Sequence, residues 1–174
     1  MYYVIQVKTS KEDKTIEELR RHLTSDSFND IFSPKYMKRE NHKGVWIDKE
    51  RTVFPGYIFI DTDNIKEVFH QLYYVKDYTR LLGREENKEN FLPLNEYETR
   101  MIDILYGKQN DHVLGISDVS IKEGMNVKVL NGPLFGLEGL IKKVNLHKRL
   151  VTLSISIGGR PQNINVSIDI VSEV

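Results

Sequence analysis

Residues 51–60 read RTVFPGYIFI, and the fold of the first half of the chain turns on this stretch. From Val53 to Ile60 β-branched and aromatic side chains dominate, which suits a pleated backbone better than a helix. Pro55 removes a ladder donor and Gly56 allows close backbone approach, so a strand with an irregular start is expected. Upstream, Tyr2 to Val7 (YYVIQV) is a second run of this kind, too short for a stable helix. Between the two, Thr9 and Glu12 have capping-box spacing, and Ile16, Leu19 and Leu23 fall at helical intervals, predicting an amphipathic helix over about 10–23. Residues 24–50 mix turn formers with a short extended piece near Ile31 to Tyr36 and an isolated Val45-Trp46-Ile47, so a long loop or flexible hairpin is expected there.

Downstream, Asn64 can cap a second helix carrying Ile65, Val68, Phe69 and Leu72. Tyr78 to Leu82 supplies a short strand before the polar loop GREENKEN, and Leu94, Met101, Ile102 and Leu105 mark a third helix ending near Gly107. Strand and helix alternate three times, giving an α+β first domain over residues 1–107. Residues 108–120 have weak periodicity and several turn formers, the pattern of a linker. From Ile121 the helical period disappears, and VKVL, LIKKV, LVTLSISI and INVSIDIV are β-rich runs separated by turn sequences, the size and rhythm of a small β-barrel over 121–174.

The 174 residues and 20.3 kDa allow one domain or two unequal ones. Lys plus Arg (25) balances Asp plus Glu (25), so any nucleic-acid binding must be regional. In residues 121–174 Lys and Arg outnumber Asp and Glu by 7 to 4, which makes the second domain the basic one. The absence of cysteine excludes disulfides, thiolate nucleophiles and Cys-based zinc sites. The opening MYYVIQVK lacks a signal pattern and no apolar run approaches the roughly 20 residues of a membrane span, so the cytoplasm is the expected compartment, with no membrane role.

The segment GMNVKVLNGPLFGLEGLIKKV, Gly124 to Val144, resembles the KOW motif of NusG-like transcription factors and certain ribosomal proteins. Arg51 to Tyr57 is similar to the R-x-x-FPGY signature of the NusG N-terminal domain, and YYVIQVKTSKED, PLNEYE and the Gly-Gly-Arg of the last hairpin extend the likeness over nearly the whole chain. The chain is identified on these motifs as a member of the NusG family, resembling its specialised LoaP-type antiterminators. Ser10 stands where the family often has Gly, and Gly158 where an aromatic often precedes Gly-Arg. The fold implied is a NusG-like N-terminal α/β sandwich plus a C-terminal KOW barrel, expected as a barrel at all times because its apolar residues are β-branched and spaced by two.

The resemblance implies that Tyr57 and Phe59, bordered by Tyr3 and Gln6, form an apolar surface that docks the clamp helices of RNA polymerase, while Phe54 and Ile58 belong to the core. It places His70 where family members reach the polymerase's opposite side; a solvated helix histidine fits equally. Lys38, Arg39, His42, Lys43 and Lys49 with Trp46 suit non-template DNA contact or a plain solvated loop. Lys142, Lys143, His147, Lys148 and Arg149, with Lys128 and Arg160, are the candidate contacts to a structured RNA hairpin, set against the alternative of edge guards on exposed strands. The five scattered histidines form no HExxH, and no G-x-S-x-G or P-loop occurs, so no enzyme activity and no cofactor are expected. The expected function is a monomeric transcription elongation and antitermination factor recruited by RNA. The alternatives are a general factor whose KOW domain meets Rho or a ribosomal protein, and a ribosomal RNA-binding protein.

Overall fold

The computed structural model describes residues 1–83, 91–122 and 126–173. Most of the GREENKEN loop and the start of the glycine-spaced stretch, Gly124 included, lie outside the described residues. The chain divides into two compact units, one of Met1–Pro34 with Phe54–Arg100, the other of Lys35–Val53 with Met101–Val174.

The first unit is built on a four-stranded antiparallel sheet. Its strands are β1 (Tyr2–Val7), β2 (Asp30–Phe32), and two from the second segment, with helix α1 (Glu12–His22) between β1 and β2. The strand from RTVFPGYIFI begins later than its composition suggests, at Tyr57, because Phe54 to Tyr57 is a turn in which the Tyr57 N–H donates to the Phe54 carbonyl at 3.1 Å. Gly56 has φ +82, and an added Cβ would lie 3.2 Å from the Val7 carbonyl oxygen, so glycine is strongly favoured here. Glu12 is buried and makes no box with Thr9. Its Oε1 accepts from the Gly56 N–H at 2.6 Å and the Ser10 N–H at 3.2 Å, tying the start of α1 to the turn. A reciprocal capping box occurs instead at Asn95 and Glu98, at the start of the third helix.

The chain continues with β3 (Lys35–His42), β4 (Val45–Thr52), β5 (Tyr57–Asp61), α2 (Ile65–Leu72), β6 (Thr79–Leu81) and α3 (Glu96–Tyr106). The first sheet has the order β2-β5-β1-β6. Opposite residues are Tyr3 and Ile60, Val4 and Phe59, Ile5 and Ile58, Gln6 and Tyr57. Alternation therefore sends Tyr3, Ile5, Ile58 and Ile60 into a core with Leu19 of α1 and Val68 and Leu72 of α2. The other face carries Val4, Gln6, Tyr57 and Phe59.

In the second unit β3 and β4 form a hairpin of eight residues a side, where the sequence suggested a long loop or flexible hairpin. Its two-residue turn, Lys43 (φ 53) and Gly44 (φ 86), has the positive φ pair that matches strand twist. The hairpin's third neighbour is β7 (Val113–Leu114). A five-stranded sheet follows, made of β8 (Ser117–Lys122), β9 (Asn126–Asn131), β10 (Ile141–Asn145), β11 (Leu150–Ile157) and β12 (Arg160–Glu173) in the order β10-β11-β12-β8-β9. Residues 108–120, read as a linker, thus carry β7 and most of β8. Val151, Leu153 and Ile155 of β11 and Ile164, Val166 and Ile168 of β12 alternate into a buried core with Val119, Val129 and Leu134. Gly132 (φ +98) is needed where the chain passes Ser117, since a Cβ would meet the Ser117 Cα at 2.8 Å.

Candidate functional site

Two surfaces, one in each unit, hold the residues expected to act. On the first sheet, β1 lies between β5 and β6, so Gln6 stands opposite both Tyr57 and Arg80. Tyr57, Gln6 and Arg80 make a cross-strand row on the face turned away from α1 and α2, the first two half-buried and Arg80 exposed. Phe59 shares that face but has 0% exposure. Its ring stacks on Phe32 at 5.9 Å and tilts against Phe54 at 5.4 Å, and Tyr2 meets Phe32 edge-on at 5.9 Å. The expectation of Phe59 as an exposed aromatic is therefore corrected: neighbouring rings cover it, and it belongs to the buried residues of this face. Tyr3 is also corrected. At 4% exposure it points into the helix-covered core, where burial, with the Asp63 carboxylate second, raises its hydroxyl above the ordinary tyrosine range.

His70 is exposed on α2, which covers the opposite face of the sheet from the Tyr57 row, and its ring lies 5.8 Å from that of Phe69. Just after it in the chain are Tyr73 and Tyr74, 72% and 75% exposed, and further on the exposed Tyr78, which the sequence reading passed over as contact residues. The usable signal was the helical spacing of Phe69 and Tyr73, whose rings meet edge-on at 5.4 Å and leave Tyr74 turned outward.

In the second unit, Lys142 and Lys143 are exposed on β10, Lys128 is exposed on β9, and His147 and Lys148 are exposed in the β10–β11 turn. Arg160 is exposed at the start of β12, opposite Ile157 at the far end of the eight-residue β11 and so roughly 25 Å from that turn. The seven predicted RNA contacts do not form one patch. Arg149 is committed elsewhere: its Nη1 donates to Asp169 Oδ1 at 2.7 Å, and its guanidinium lies 5.1 Å from the centre of the Trp46 ring. Arg39 donates to the other Asp169 oxygen at 2.9 Å and forks onto Asp48 at 2.9 and 3.2 Å. Lys38 pairs with Glu40 at 3.1 Å, and Arg51 holds Glu40 at 2.8 Å. Hydrogen bonds from Arg51, then Lys38, hold the Glu40 carboxyl below the usual range, and that from Arg39 does the same for Asp48. Much of the hairpin's positive charge is thus neutralised internally, while Lys142, Lys143 and Lys148 have no ion pair among the described residues.

The family model described as transcription termination factor nusG matches residues 1–103. The chain belongs to the NusG family. Among its relatives are proteins named transcription termination/antitermination protein NusG. That of Borreliella burgdorferi is 24% identical over 183 residues, covering 99% of this chain and 98% of the relative. That of Helicobacter pylori is 26% identical, covering 95% and 93%, and that of Streptococcus pyogenes 25% identical, covering 88% and 86%. A solved structure titled "Domain interaction in Thermotoga maritima NusG" shares the fold, with a TM-score of 0.57 and 17% identity over 95% of this chain and 92% of the other. The described residues contain no group of three or more metal-ligating side chains, and no helix among them is long and apolar enough to cross a membrane.

Proposed function

We propose that this NusG-family chain is a transcription elongation and antitermination factor that docks on RNA polymerase through its first unit and is recruited by a structured RNA through its second. The observation that carries the RNA part is the set of unpaired cations, Lys142, Lys143 and Lys148, on β10 and the turn after it, in a unit whose arginines are largely occupied by carboxylates. Unspent cations release counterions on meeting phosphate, whereas paired ones must first surrender a partner. For the polymerase, the half-buried Tyr57 beside Gln6 offers an aromatic anchor on a rigid strand, set on the Phe59 core. Phe59 and Tyr3 take part only as core residues of that sheet, His70 serves a second contact to the polymerase's opposite side, and Lys38, Arg39, His42, Lys43 and Lys49 with Trp46 suit the non-template strand.

No covalent step is required. A protein that binds the closed polymerase clamp better than the open one shifts the population toward the closed state, and pausing or release becomes rarer by linkage alone. The factor acts as a monomer, without cofactor, where the polymerase is, in the cytoplasm. It resembles the LoaP-type antiterminators in having a basic second unit suited to RNA. Capture of core RNA polymerase by the full-length protein, together with binding of hairpin RNA measured separately, tests the reading. Capture of Rho or a ribosomal protein with no RNA binding would replace it with a general factor.

A further inference from the structure

The five-stranded sheet begins at β10 and ends at β9, with no ladder joining the two among the described residues. At this seam, beside the 3-10 turn Glu138–Leu140, lies a cleft of about 400 Å³, within the size range of pockets that take small organic groups. Val127 and Ile141 supply apolar walls; Asn126, Glu138, Lys142 and Lys143 supply polar ones. No side chain of those four makes an ion pair or hydrogen bond among the described residues. Arg39, Arg51 and Arg149 of this unit are matched with carboxylates, whereas Glu138, Lys142 and Lys143, like Lys128 and Lys148, keep bonding capacity to spare, and at the cleft both signs of charge meet apolar walls.

The mixture of signs narrows the occupant. A groove for phosphate alone gains nothing from a carboxylate in its wall, and an acidic peptide would be repelled by Glu138 in the same way. An ionised carboxylate only accepts hydrogen bonds, and it accepts two side by side. Among the four RNA bases only guanine places two adjacent donors, N1–H and N2–H, on its Watson–Crick edge. Apolar walls suit the faces of such a base, and Lys142 and Lys143 suit the phosphates on either side of it. That edge is available only when the base is unpaired, the usual target of sequence-specific RNA recognition.

We propose that the cleft between β9 and β10 binds an unpaired guanosine in the recruiting RNA hairpin, read by Glu138 and held by Lys142 and Lys143. This rests on the RNA reading above and names what that RNA must display. The test uses the full-length protein. In an NMR titration GMP should move the amide signals of Val127, Glu138 and Ile141 to Lys143, and AMP should do so far less. A hairpin RNA with one bulged guanosine should bind about tenfold or more tightly than the same hairpin with a bulged adenosine, the size of one good two-point base contact. Glu138→Gln should abolish that preference with the salt dependence unchanged, whereas Lys142→Ala should weaken both hairpins alike and flatten the salt dependence. Equal effects of GMP and AMP, perturbations elsewhere on the protein, or a guanosine preference that survives Glu138→Gln would overturn the proposal. If wild-type protein binds both hairpins equally, the cleft reading fails and RNA recruitment stands. If it binds neither while GMP is still selected, recruitment fails and the guanine site stands.

Discussion

Tyr57 and Phe59 stand two residues apart on β5 and share a face, yet one is half-buried and the other fully covered. Strand periodicity tells which side chains point the same way but not what else reaches that face, and here Phe32 of β2 and Phe54 of the turn before β5 close over Phe59. The two residues should therefore fail differently. Phe59→Ala should destabilise the protein by about 3–5 kcal/mol, the usual cost of emptying a core aromatic site, read as a lower midpoint in denaturant unfolding. Tyr57→Ala should unfold near the wild-type midpoint but lose about 2 kcal/mol of polymerase binding. Ser10 offers a second test at this scale. It has φ 66, a left-handed conformation that strains any residue with a Cβ, at the position where the sequence was already seen to depart from glycine. Ser10→Gly should raise unfolding stability by up to about 1 kcal/mol, and a loss would mean that the Ser10 side chain makes a compensating contact. Among the candidate RNA contacts, Arg149→Ala should weaken RNA binding less than Lys148→Ala, because Asp169 already occupies the Arg149 guanidinium. That distinction was invisible in the sequence: Asp169 lies 20 positions from Arg149 and 130 from Arg39.

At the scale of elements, β1, β5 and β9 to β12 were legible because β-branched and aromatic residues fill them and turn formers bound them. The β3–β4 hairpin was only half visible, its strands being mostly polar and cross-linked by charge. Arg39 faces Asp48 across the hairpin, and Glu40 gathers Arg51 and Lys38. Residues 108–120 read as a linker because β7 and β8 take their partners from distant segments, β3 and β12. The hairpin's dependence on charge makes it sensitive to acid. Glu40 and Asp48 have carboxyls held below the usual range in the folded protein, so their contribution is complete above the ordinary carboxylate pKa and is lost as pH falls through the lowered values. Trp46 is the only tryptophan and sits on this hairpin against Arg149, which makes its fluorescence a local reporter. Its emission should hold steady from neutral pH down to about 5 and change only below roughly pH 4. A transition between pH 6 and 7 would assign control to a histidine instead.

For the whole molecule, polymerase docking is proposed for the first unit and RNA recruitment for the second, so the two should be separable by mutation. Family membership was legible because glycines at key turns answer to backbone geometry: Gly56 and Gly132 both have positive φ, and an added Cβ would be tight at Gly56 (3.2 Å) and clash at Gly132 (2.8 Å). The division of labour was less legible, since it depends on which charges remain unpaired after folding. The most direct measurement is the affinity of fluorescently labelled full-length protein for core RNA polymerase from its own cell, compared across wild type, Tyr57→Ala, and Lys142→Ala combined with Lys143→Ala. The account predicts tight binding by wild type, a loss of roughly 30-fold for Tyr57→Ala, and no change for the double lysine variant. Failure of the wild-type protein to bind polymerase, or an equal loss in the lysine variant, would contradict it.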